Sequence, residues 1–260
     1  MLKWVWHLDR LLRGEATNVE ALRGGDLRVP VFGLAVVIDL LGIVYGACMG
    51  LFSITGSGSG QPMQIAASML KVPALFLLTL IVTFPSLYVF NALVGSRLRF
   101  GPTLRLLVAS IAVMLAVLSS IGPIVAFFSL SSTSYSFMVL LNVAVFAIAG
   151  ILGLGFLLQT LQRMTIASVL DVLPPDPPPP SAATDESQPS PLDQLENRQT
   201  LPRVRSVFRV WLLVFGLVGA QMGWVLRPFI GSPHAPFAWF RARESNFFEA
   251  VAQHIQQLFR

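Results

Sequence analysis

Asp39 stands about eight residues into an apolar stretch that runs from about Val31 to Leu51. A carboxyl in hydrocarbon is costly unless it is paired or functional. Two chemistries fit it. Desolvation favours the protonated form, and a carboxyl that changes state near neutral pH suits a proton relay or a cation site. Alternatively it keeps one state and hydrogen-bonds to Asn91, Asn142 or Gln221 on neighbouring helices. The second reading has more support, because a relay needs several ionisable stations and the sequence places only Asp39 well inside a span. Ala35, Gly42, Gly46 and Gly50 share its helix face by offset, which points the carboxylate into a helix interface.

Catalytic arrangements are largely excluded. His7, His234 and His254 all lie outside the apolar stretches, so no span offers a histidine for a metal site or a serine dyad. The run Gly56-Ser-Gly-Ser-Gly60 has serine between glycines but no accompanying base, and reads as a flexible linker. Asp185 and Glu186 are paired only within a segment expected to be disordered, where nothing holds catalytic geometry. Cys48 is the single cysteine, so no internal disulfide or cysteine-metal cluster forms. No enzyme activity, catalytic residue, metal or cofactor is expected. Arg227, followed by Pro228, reads as a boundary arginine at the outer interface, where it snorkels or meets a lipid phosphate or a carboxylate.

The elements that must position these residues are membrane helices. Hydrophobic residues make up 54% of the 260, charged residues 12%, and the mean hydropathy is +0.70, which excludes an ordinary soluble domain. A span needs roughly 20 apolar residues. Five stretches qualify: Val31 to Leu51, Pro73 to Val94, Leu104 to Leu130, Phe137 to Leu158, and Val207 to Leu226. The fold class is all-α, a polytopic integral membrane protein with five transmembrane helices and interfacial amphipathic helices at both termini.

Loop charge sets orientation. Thirteen basic residues fall before the first stretch, between the second and third, and between the fourth and fifth; the other side holds Lys71, Arg227, Arg241, Arg243 and Arg260. The N-terminus is expected in the cytoplasm and the C-terminus outside. The net charge of +5 is small and flanks apolar runs, so nucleic acid is not an expected partner. Charged residues interrupt the first 28 positions, so no cleavable signal peptide is expected.

Residues 1–28 form a cytoplasmic amphipathic segment. Leu2, Val5, Leu8 and Leu12 recur at helical spacing beside Trp4 and Trp6, and Thr17 with Glu20 suggests a capping box for a second short helix ended by Gly24 and Gly25. Residues 29–163 hold four spans. Residues 164–205 read as a disordered cytoplasmic linker, rich in proline from Pro174 to Pro180. Residues 206–230 hold the fifth span, and 231–260 an amphipathic tail. In that tail Ser245 is a candidate cap, Phe247, Val251, Ile255 and Leu258 form one stripe, and Trp239 with Phe240 anchors it at headgroup depth.

Gly42, Gly46 and Gly50 repeat at every fourth residue, a stripe that lets another helix backbone approach. Gly219 and Gly223 in the fifth span, and Gly150, Gly153 and Gly155 in the fourth, offer candidate partner surfaces.

The strings Lys71-Val-Pro-Ala-Leu-Phe-Leu-Leu-Thr-Leu80, Phe84-Pro-Ser-Leu-Tyr-Val-Phe-Asn-Ala-Leu-Val-Gly-Ser-Arg-Leu98, Gln221-Met-Gly-Trp-Val-Leu-Arg-Pro-Phe229, Gly231-Ser-Pro233 and Arg243-Glu-Ser-Asn-Phe-Phe248 resemble a bacterial family of multi-pass membrane proteins without assigned activity. In layout that family is similar to the Yip1-like five-helix proteins. Asp39-Leu-Leu-Gly42 resembles their first-helix Asp-Leu-x-Gly pattern, with Ile43 where that pattern usually has proline. Some relatives carry an actin-binding WH2 label, which implies an amphipathic helix followed by a basic LKKT-like strand; the sequence has no such segment.

The resemblance implies a five-helix bundle that organises membranes or serves as a partner subunit. The expected function is a non-enzymatic scaffold or accessory subunit in a bacterial cytoplasmic membrane, whose partners are the lipid bilayer and a membrane protein or a second copy. The alternative is a small transporter or channel subunit that uses Asp39 as its proton- or cation-binding group.

Overall fold

The computed structural model describes residues 2–22, 29–55, 62–93, 100–172, 191–231, 236–241 and 245–259. Eight helices run in the order α1 Leu2–Leu12, α2 Val31–Gly50, α3 Phe52–Thr55, α4 Pro62–Leu93, α5 Phe100–Ser131, α6 Tyr135–Val172, α7 Pro191–Val225 and α8 Phe247–Leu258, with no strand among the described residues. Among the described residues four apolar segments are long enough to cross a membrane: Val31–Ile54, Pro62–Leu87, Gly101–Ser131 and Tyr135–Met164. Helical hydrogen bonding within each segment is the condition for a chain surrounded by lipid, and Pro73, Pro85 and Pro123 interrupt it locally inside α4 and α5. Large apolar side chains face outward on every long helix, including Phe32, Ile81, Phe127, Ile151 at 71% exposure and Leu213 at 75%. Such a continuous outward apolar surface belongs in hydrocarbon rather than water. The chain is an integral membrane protein.

The central helix is α2, which packs on α4 at one side and on α5 at the other; α6 lies against α5, and α7 against α4 and α6. An apolar crevice among α4, α5, α6 and α7, lined by Leu80, Ile111, Leu157, Trp211 and Phe215, leaves no room for a water molecule. The helix α1 lies across α2 and α5, with the Trp4 ring against Gly33.

Several expectations change. The second apolar helix begins at Pro62 rather than Pro73. Proline at a first helical position gives up no intrahelical bond. The fifth apolar segment is 17 residues, Arg209–Val225, shorter than the other four. Residues 13–22 form turns instead of a second short helix, and Thr17 accepts hydrogen bonds from Arg163 at its hydroxyl (3.1 Å) and its carbonyl (3.3 Å) rather than opening a capping box. The expected linker is helical over 164–172 and 191–205. The proline run 174–180 lies outside the described residues, as do Gly24, Gly25, the 56–60 run, Asp185, Glu186 and His234. Asn246, not Ser245, caps α8: its side chain accepts from the Glu249 N–H at 2.9 Å.

Candidate functional site

Polar groups gather in three places. The first is the α2–α6 interior. Tyr45 is fully buried and donates to Asn142 Oδ1 at 2.8 Å, while the Asn142 amide donates to the Met138 carbonyl at 2.8 Å. The Phe146 ring meets Tyr45 edge-on at 5.5 Å and stacks on Phe76 at 5.9 Å. Asn142 is thus an interhelical hydrogen-bonder, but to Tyr45 and not to Asp39. On the other side of the bundle the Trp211 indole donates to the Thr83 carbonyl at 3.0 Å, which ties α7 to α4.

The second is a clasp at the end of α4. Gln64, Ser68 and Lys71 sit at helical offsets of four and three, so they line one face. Onto that face folds the chain that leaves α7. The Gln64 amide donates to the carbonyls of Pro228 and Phe229, both at 3.1 Å; the Ser68 hydroxyl faces the carbonyls of Gln64 and Phe229; and Lys71 Nζ donates to the carbonyls of Pro228 at 2.9 Å and of Trp239. The Phe240 ring lies 5.2 Å from the Lys71 ammonium. Nearby, the Arg227 guanidinium lies over Trp224 at 3.7 Å, and the Trp224 indole donates to the Ser245 carbonyl. Trp239, expected as a headgroup anchor, is partly exposed while its backbone joins the clasp.

Lys71 is the main correction. Sequence reasoning counted it among the loop charges of the outer side and left Asp39 alone inside the spans. Lys71 lies within the Pro62–Leu87 segment at 3% exposure. The signal was present in the offsets of Gln64, Ser68 and Lys71; the carbonyls that satisfy them lie some 160 residues further along. Tyr45 was also missed, since a lone tyrosine in an apolar run carries no sign of its partner.

The third is Asp39 itself. It is half-buried and makes no hydrogen bond or ion pair to a described residue. Asn142 is engaged with Tyr45, Gln221 makes no hydrogen bond to a described residue, and the side chain of Asn91 lies outside the described residues. The interface expected at Asp39 is formed by the glycines beside it. A Cβ at Gly42 would meet Pro73 at 3.0 Å, at Gly46 the Ser68 carbonyl oxygen at 2.5 Å, and at Gly50 the Ile65 Cα at 2.9 Å. The stripe therefore meets α4 and not the glycines of the fourth or fifth span. Gly219 faces Thr79 at 3.5 Å and Gly223 faces Leu75 at 4.0 Å, ordinary contacts; Gly153 packs tightly on Met114, and Gly150 and Gly155 face open space.

Outside the spans, α8 is held to α6 through His254. Its Nδ1 lies 3.1 Å from the Ser136 hydroxyl, which donates to Gln257 Oε1 at 2.8 Å, and Tyr135 meets the imidazole edge-on. Burial lowers the His254 pKa, and the hydrogen bond with Gln257 opposes this in part. A histidine that is harder to protonate when docked gives docking its full stability above the undocked value of 6.5 and loses it as pH falls below that value. The protection factors of the α8 amides, which remove the base-catalysed rise of intrinsic exchange with pH, are therefore expected to be higher at pH 7.5 than at about pH 5.5, and His254→Gln should flatten the dependence.

Comparison with protein-family models, with curated proteins and with solved structures returns no match for this chain.

Proposed function

We propose that the chain is a non-enzymatic integral membrane scaffold or accessory subunit that organises a membrane-protein partner. One observation carries this reading: the polar side chains inside the bundle hold its own helices together, while the intramembrane carboxyl sits at the flank. Tyr45–Asn142, Trp211–Thr83 and the Lys71 clasp each join two parts of the chain. Asp39 borders the outward face that carries Phe32, Leu40 and Val44. A relay through the bundle would want that carboxyl among the interior groups.

The layout goes with this reading. The Arg209–Val225 helix is the fifth span. At 1.5 Å per residue it extends about 25 Å, Trp211 and Phe215 face α4, and Val210, Leu213 and Leu217 face lipid. Its Trp224 and Arg227 then stand at the outer headgroups, the N-terminus is cytoplasmic, and the helices α1 and α8 lie on the two surfaces. A five-helix bundle of this kind keeps the Yip1-like resemblance and a place in a bacterial cytoplasmic membrane.

The test against transport is direct. In vesicles loaded with a pH dye, the reconstituted chain should give no proton flux above empty vesicles, and Asp39→Asn should change nothing. A flux that Asp39→Asn abolishes would replace the subunit reading with the transporter one.

A further inference from the structure

Asp39 is the ninth residue of α2, about 12 Å along a helix whose full length is about 30 Å. It lies well away from both ends. Several other polar groups in the apolar segments have a partner: Tyr45, Thr79, Thr83, Ser110, Ser129 and Asn142 all donate to an oxygen of the chain. Asp39 is half-exposed without one among the described residues. Gly42, one turn further on, is closed against Pro73, so no additional helix enters the α2–α4 seam there. The open side of Asp39 is the lipid side, toward Leu40 and Val44.

We infer that Asp39 is the docking point for a transmembrane helix of a different membrane protein that carries a lysine or arginine at matching depth. This rests on the accessory-subunit reading and names the chemistry of its contact. An ionised carboxylate offers only acceptors, and in hydrocarbon it requires a donor, best met by a cation. A second copy does not supply one from its described residues. Lys71 is buried and bonded to Pro228 and Trp239, Arg163 is bonded to Thr17 near the end of its apolar segment, Arg105 lies in the first turns of α5, and Arg209 and Arg227 stand at the two ends of the last apolar helix, away from the depth of Asp39. Charge complementarity therefore selects a foreign basic helix.

The probe is a leucine-alanine transmembrane peptide with one central lysine, compared with the same peptide carrying leucine or glutamate instead. Each is reconstituted with the full chain in phosphatidylcholine vesicles, and association is read by energy transfer between dyes on their termini. The lysine peptide should bind about tenfold more tightly than the leucine peptide. Asp39→Leu should remove that preference and Asp39→Glu should retain it. Equal binding of the lysine and leucine peptides overturns the inference, as does a preference that survives Asp39→Leu. Energy transfer between copies of the chain that is lost in Asp39→Leu also overturns it, in favour of self-association. A native partner retained by Asp39→Leu removes this docking point and leaves the subunit reading intact, whereas absence of any native partner removes the subunit reading itself.

Discussion

Lys71→Met should destabilise the protein by about 2–3 kcal/mol and release the chain that follows α7, although methionine fills most of the same volume. The ammonium serves two carbonyls, Pro228 and Trp239, from a position at 3% exposure. Pro228 keeps the Gln64 amide as a second donor, but Trp239 loses the donor seen here. Trp239 is partly exposed, so its carbonyl can turn to water, and the loss is that of hydrogen bonds from a charged group, which contribute about 1.5–3 kcal/mol. Amide exchange should therefore rise around 226–231 and 236–241 while α5 and α6 remain protected. Lys71→Arg should not restore the clasp, because a planar guanidinium does not reproduce a compact ammonium between two carbonyls. Lys3→Met, at an exposed position of α1, should fall within about 0.5 kcal/mol of the parent.

Gly46→Leu should separate α2 from α4, and Gly46→Ala should already lower stability by about 1–3 kcal/mol. The atoms a Cβ would meet are the Ser68 carbonyl oxygen at 2.5 Å and the Met69 Cα at 2.8 Å. Both are backbone of α4, so no side-chain rotation relieves the clash; one helix has to move. That loss would outweigh the gain of about 0.5–1 kcal/mol that alanine brings to a helix interior. Gly150→Ala and Gly216→Ala face open space and should be neutral or slightly stabilising. Denaturant titration of each variant in one detergent reports the order, with Gly46 far below Gly150 and Gly216.

The glycine stripe and the Lys71 clasp differ in how openly the sequence displays them. The four-residue spacing of Gly42, Gly46 and Gly50 is enough by itself to announce a close helix contact, because only a row without side chains lets backbones approach. The identity of the opposite helix is not local information. The stripe meets Ile65, Met69 and Pro73 of α4, which no spacing of glycines could indicate. Apolar length similarly marks out the four long segments, since a bilayer enforces it.

The start of α4 was harder to read. Residues 62–71 fall before the expected start of the second span at Pro73, with Lys71 counted among the charges of the outer side. The offsets of Gln64, Ser68 and Lys71 put them on one helix face, and that face turns to the 228–239 backbone rather than to lipid. Asp39 was legible as a residue out of place. Its half-exposed position was not: of the expected partners Asn91, Asn142 and Gln221, Asn142 is taken by Tyr45, a contact across 97 residues of sequence.

The central claim is that this membrane protein works by holding a partner. The most direct measurement is purification from native membranes in several mild detergents, with quantitative mass spectrometry of what remains bound. The account predicts one membrane protein in fixed stoichiometry across detergents, its helix bearing a basic residue at the depth of Asp39, and its loss in Asp39→Leu. A pure monomer or homo-oligomer in every detergent would contradict it, and a proton or cation flux that depends on Asp39 would put the transporter reading in its place.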